Sequence, residues 1–116
     1  MPPTRHISGE IVFPADTAPG IALRVLVEVH DVSMQDQAST TLAKTVLRNV
    51  SIGPSARVPF ALTAPSANAN RSLSMRVQVN LRLDQSDVVG DYLSTEATPV
   101  AATGDAMDLV TRVKKI

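Results

Sequence analysis

Nucleophilic catalysis needs a hydroxyl or thiol, a base to activate it and usually a third group to orient that base. The 116-residue chain has two histidines, His6 and His30, and no cysteine. His6 lies near the start and His30 at the polar end of an alternating apolar run. No serine stands in the G-x-S-x-G setting of a nucleophile elbow. Both histidines read as ordinary surface residues, and the expectation is that the chain is not an enzyme.

Carboxylates are the other group with chemical potential. Asp31 and Asp36, then Asp84, Asp87 and Asp91, fall where strands give way to loops. Clustered loop carboxylates can hold calcium, which takes six to eight oxygens from flexible segments. Asp is equally a turn former that bonds its own backbone, and the run Asp84-Gln85-Ser86-Asp87 lacks the glycine and closing glutamate of a calcium loop. The turn reading is favoured, with a calcium-binding or small hydrolytic domain as the alternative. The five glycines are dispersed and form no phosphate cradle. No metal or other cofactor is expected.

Composition narrows the partner. Eleven basic residues balance eleven acidic ones, so no overall field draws the chain toward nucleic acid or an anionic membrane. Two Phe, one Tyr and no Trp leave few platforms for stacking bases or sugars. Nucleic acid is therefore not expected as a partner. Asn49-Val50-Ser51 and Asn70-Arg71-Ser72 match the glycosylation acceptor pattern, which matters only on a eukaryotic secretory route. No run approaches the roughly 20 apolar residues of a membrane span. The expected address is cytoplasmic if Met1 is the native start, and periplasmic or outer-membrane-associated if a leader was removed.

The elements that must position any site are strands. Leu73, Met75, Val77, Val79, Leu81 and Leu83 alternate with polar residues without a break, a period of two that only a half-buried strand satisfies. Ile21, Leu23, Val25, Val27 and Val29 repeat the pattern. Shorter candidates are Ile7 to Phe13, Leu42 to Ile52, Ala56 to Thr63 with Val58, Phe60 and Leu62 inward, Val88 to Thr98, and Met107 to Val113 with Met107, Leu109 and Val113 inward. The expected fold is all-β: one small antiparallel sandwich of immunoglobulin type over residues 1–116, about seven strands, with a core near 7–113 and a flexible start at 1–5. Pro59 cannot donate a ladder bond, so its strand should lie at an edge or carry a bulge. Met34 to Val50 admits a helical alternative, outweighed by the β-branched Thr40, Thr41, Thr45 and Val46.

What remains is surface suited to a protein partner. Arg24, Arg76 and Arg82 fall on polar strand faces with Leu26 the apolar exception among them, and arginine's planar fork pairs well with carboxylates. A solvated face is the bland alternative for each. The edge strand with Pro59, or the last strand, could instead accept a peptide by strand addition.

Three segments, Ile7-Ser8-Gly9-Glu10-Ile11-Val12-Phe13-Pro14, Leu26-Val27-Glu28-Val29-His30-Asp31-Val32-Ser33-Met34-Gln35-Asp36 and Val58-Pro59-Phe60-Ala61-Leu62, together with Gly90-Asp91-Tyr92-Leu93-Ser94-Thr95-Glu96-Ala97-Thr98-Pro99-Val100, resemble the YbaY-like lipoproteins and the YscW-type chaperones (pilotins) of type III secretion. The resemblance spans most of the chain from Ile7 to Val113, and its motifs are structural. It implies a β-sandwich of the bacterial cell envelope and, in the pilotin branch, escort of a secretin subunit to the outer membrane. The sequence departs from those lipoproteins at its start, where neither a signal peptide nor a lipid-bearing cysteine is present. The expected function is a protein-binding, chaperone-like module of the envelope, its partner a secretin or another envelope protein. A structural domain that self-associates weakly through a sheet edge is a further alternative.

Overall fold

The computed structural model describes residues 4–32, 40–65, 71–81, 92–94, 98–101 and 103–115. Within them the regular structure is all strand: β1 (Thr4–Val12), β2 (Gly20–Asp31), β3 (Thr40–Ile52), β4 (Arg57–Pro65), β5 (Leu73–Asn80), β6 (Tyr92–Ser94), β7 (Thr98–Val100) and β8 (Ala106–Lys115). They form one continuous sheet in the order β3-β2-β5-β6-β8-β1-β4, with β7 paired to β5 beside β6. The end strands β3 and β4 lie against each other without joining the ladder. The sheet therefore curls into a nearly closed, barrel-like sandwich rather than two separate layers of immunoglobulin type.

Eight strands stand against the seven expected, because the stretch from Val88 to Thr98 contributes β6 and, at its end, the start of β7. One pairing also departs from the antiparallel expectation: β1 runs parallel to β8. A long crossing is needed for parallel neighbours, and these two strands sit at opposite ends of the sequence. Strand structure at 40–52 settles the helical alternative there; 34–39 lie outside the described residues. β1 begins at Thr4, with Arg5 buried within it.

Alternation builds the core. Val25, Val27 and Val29 of β2 stand in register with Val79, Val77 and Met75 of β5, and all six are buried. Such cross-strand pairs are the unit of sheet stability, and each buried side chain contributes about 1.5–3 kcal/mol. Val58, Phe60, Leu62 and Ala64 of β4 close the opposite wall. Phe13 and Tyr92 meet edge to face, their ring centroids 5.3 Å apart. On β8 the buried Thr111 keeps its hydroxyl satisfied by donating to Thr98 Oγ1 at 3.1 Å.

Two inward assignments are corrected. Met107 is 66% exposed and Ile21 58% exposed. On β8 the register to β1 slips between Ile7↔Ala106 and Gly9↔Leu109, so one extra residue of β8 is accommodated at 107–108, where Asp108 takes a positive φ of 60°. That bulge inverts the phase, turning Met107 outward and Ala106 inward. On β2, Ala22 takes the buried place next to Val25 instead of Ile21, and the phase change falls opposite Asn49, whose φ is 54°.

Pro59 lies on β4, an end of the sheet path, paired with Glu10, as its missing N–H requires. The turn from β3 to β4 is pinned by Ala56 N donating to Gly53 O at 3.1 Å and Phe13 N to Ala56 O at 2.9 Å. It joins the two end strands at one corner of the barrel.

Candidate partner-binding site

From Arg24 onward the residues of even number on β2 point away from the core, and the register fixes what stands beside each. Arg24 is opposite Arg48 of β3 and Asn80 of β5; Leu26 is opposite Val46 and Gln78; Glu28 is opposite Lys44 and Arg76. The next row continues with His30 beside Thr41 and Ser74, and Gln78 leads on to Leu93 of β6. Directly opposed side chains in a sheet have Cβ atoms about 4.5–5.5 Å apart. Each row is thus a contiguous strip.

The structure brings together three of the four residues singled out from the sequence. Arg24, Leu26 and Arg76 share this outer face on adjacent strands, whereas Arg82 lies outside the described residues. Lys44, Val46 and Arg48 were missed as members of it. Val46, one of the β-branched residues that favour a strand there, is 39% exposed. The signal was there in the polar members Lys44 and Arg48, two residues either side of Val46.

The electrostatics are uneven. Arg24 and Arg48 are like charges placed directly opposite, an arrangement that costs stability. Neither makes an ion pair among the described residues, and Arg24 Nε is buried with no hydrogen-bond acceptor. Glu28 is flanked by Lys44 and Arg76, and its Oε1 lies 3.5 Å from His30 Nε2. Arg76, Arg48 and Lys44 remain exposed. The face carries four cations, Arg24, Lys44, Arg48 and Arg76, around a short apolar strip of Leu26 and Val46, with the carboxylate of Glu28 among them.

Of the five loop carboxylates singled out from the sequence, Asp31 alone lies among the described residues. Asp31 accepts from Arg71, Nε at 2.7 Å and Nη2 at 2.6 Å, and the adjoining backbone is tied by Val32 N donating to Ser72 O at 2.8 Å. Asp36, Asp84, Asp87 and Asp91 lie outside the described residues. Among the described residues no three His, Asp or Glu side chains converge. His6 is exposed on β1, where its backbone N–H donates to Asp105 Oδ1 at 2.9 Å.

A buried cation lies elsewhere. The Arg5 guanidinium donates to the carbonyls of Ala101 and Gly104 and anchors the connection between β7 and β8. Loss of water pushes its pKa below the ordinary arginine value, with Asp105 opposing the shift. Nothing in its sequence setting marks Arg5 as buried.

No protein-family model matches the chain, and no curated protein matches it. Among solved structures, the chain is similar to an alternative pilotin from the type II secretion system of Vibrio cholerae, at 19% identity over 97% of this chain and 98% of that one, with a TM-score of 0.68. The two share a fold from end to end. The likeness is to a type II secretion protein, so it supports a pilotin-like fold and does not extend to YbaY or YscW membership. No helix among the described residues is long and apolar enough to cross a membrane.

Proposed function

We propose that this chain is a non-enzymatic, protein-binding module of the bacterial cell envelope that acts as a pilotin-like chaperone, holding a secretin subunit or another outer-membrane component. The observation that carries the reading is the end-to-end fold likeness to a pilotin. The sequence resemblance to YbaY-like and YscW-type proteins, made on other grounds, points the same way. A periplasmic or outer-membrane-associated location follows from the same reading. Its outer face, with uncommitted arginines around Leu26, supplies the kind of surface an interface uses.

The test is affinity capture from an envelope extract of the source organism with the tagged chain as bait, identifying bound proteins by mass spectrometry. Enrichment of a secretin or another outer-membrane protein over a bait of unrelated β-sandwich fold is the expected result. Failure to enrich any envelope protein, with the bait shown to be folded by circular dichroism, overturns the reading.

A further inference from the structure

A sheet whose outer face were merely solvated would not need two arginines in direct opposition. Arg24 and Arg48 form one such pair, and no carboxylate among the described residues answers it. Four residues along β2, Lys44 and Arg76 flank Glu28, whose Oε1 lies 3.5 Å from His30 Nε2. Between the two cationic rows lies the apolar strip of Leu26 and Val46. At about 3.3 Å per residue the two rows are about 13 Å apart, with the apolar strip midway.

We propose that this face recognises an acidic segment of a partner protein, carrying two carboxylates about 13 Å apart with an apolar side chain between them. The proposal rests on the protein-binding reading and names the chemistry of the partner. One carboxylate answers the Arg24–Arg48 pair, accepting the hydrogen bonds that a guanidinium fork donates. The second answers Arg76 and Lys44. The central side chain covers Leu26 and Val46. An anionic membrane fits less well, because a face that enters lipid headgroups projects large apolar or aromatic side chains, and here Leu26 is half-buried and Val46 only 39% exposed.

The probe is a fluorescent peptide containing Glu-Ser-Leu-Ser-Glu, which in extended form sets the three side chains on one face at the required spacing. Controls are the Gln-Ser-Leu-Ser-Gln peptide, a peptide with the two glutamates adjacent, and vesicles containing phosphatidylglycerol. Anisotropy titration of the full chain should show binding of the spaced peptide at least about tenfold tighter than either control peptide. Arg48→Glu and Arg76→Gln, both at exposed positions, should each weaken it about fivefold or more. Equal binding of all three peptides, or no effect of both substitutions, overturns the proposal, as does vesicle binding without peptide binding. In parallel, an envelope protein captured equally by wild type and Arg48→Glu would reject this face while leaving the protein-binding function standing.

Discussion

A Cβ on Gly9 would stand 2.7 Å from the carbonyl carbon of Leu109 and closer still to its oxygen, so β1 and the bulged part of β8 meet at a separation that only glycine allows. The obstacle is backbone and cannot swing aside. Gly9→Ala should therefore destabilise at or beyond the upper end of the about 1–3 kcal/mol typical of overpacking. Urea denaturation would read this as a fall in midpoint with an unchanged slope; an unshifted midpoint would mean that the two strands do not approach as described.

The bulge itself depends on Asp108, held at a φ of 60°, where a β-branched side chain is disfavoured more than Asp or Gly. Asp108→Val should cost about 1–2 kcal/mol, while Asp108→Gly should stay within about 0.5 kcal/mol, relief of strain offsetting the freer unfolded chain. Equal losses in both variants would argue that the carboxylate, not the backbone, matters.

Arg5 contributes two donated hydrogen bonds but also a desolvated charge. Arg5→Ala leaves the carbonyls of Ala101 and Gly104 without their donor and should destabilise by about 1–3 kcal/mol. Its folded-state pKa lies below the unfolded value, so the cost of burying the charge is present throughout the range below it. That cost is relieved only as pH rises through the folded value toward the unfolded one. The difference between wild type and variant should therefore be flat from about pH 5 to about pH 9; a slope attributable to Arg5 in that window would contradict a guanidinium protonated throughout.

Asp31 and Arg71 join the end of β2 to the approach to β5, with the Asp31 side chain 9% exposed and Arg71 41% exposed. A double-mutant cycle with Asp31→Ala and Arg71→Ala should give a coupling of about 1 kcal/mol, above the usual exposed pair because the bond is short and charge-assisted. The coupling should shrink in high salt. Strictly additive single losses would show the pair to be energetically idle.

Arg48 offers a separation of stability from binding. Arg48→Glu turns an opposed pair of like charges into an opposed pair of unlike ones and should raise stability by about 0.5–1 kcal/mol. A variant that is more stable by thermal melting yet loses the acidic peptide would identify the Arg24–Arg48 opposition as retained for a ligand. A destabilised Arg48→Glu would point to contacts of Arg48 that the opposition alone does not explain.

The strand faces were legible where alternation is clean. Leu73 to Val79, Val25 to Val29 and Val58 to Leu62 each bury the residues that a period of two selects, because successive side chains leave a strand on opposite sides whatever its neighbours are. The same rule places Arg24, Leu26 and Arg76 on the outer face whatever the strand pairing, and Pro59 marks an edge by lacking a donor. Tertiary structure alone decided which strands lie side by side: that β1 runs parallel to β8, that Arg48 opposes Arg24, and that Arg5 is buried against the link from β7 to β8. It also decided Met107, because a bulge inverts phase and its position depends on the partner strand, and Ile21, whose change of phase falls opposite the positive φ of Asn49. Alternation is a local property of the chain, whereas pairing and register join residues as far apart as Gly9 and Leu109 and are set by closure of the whole sheet.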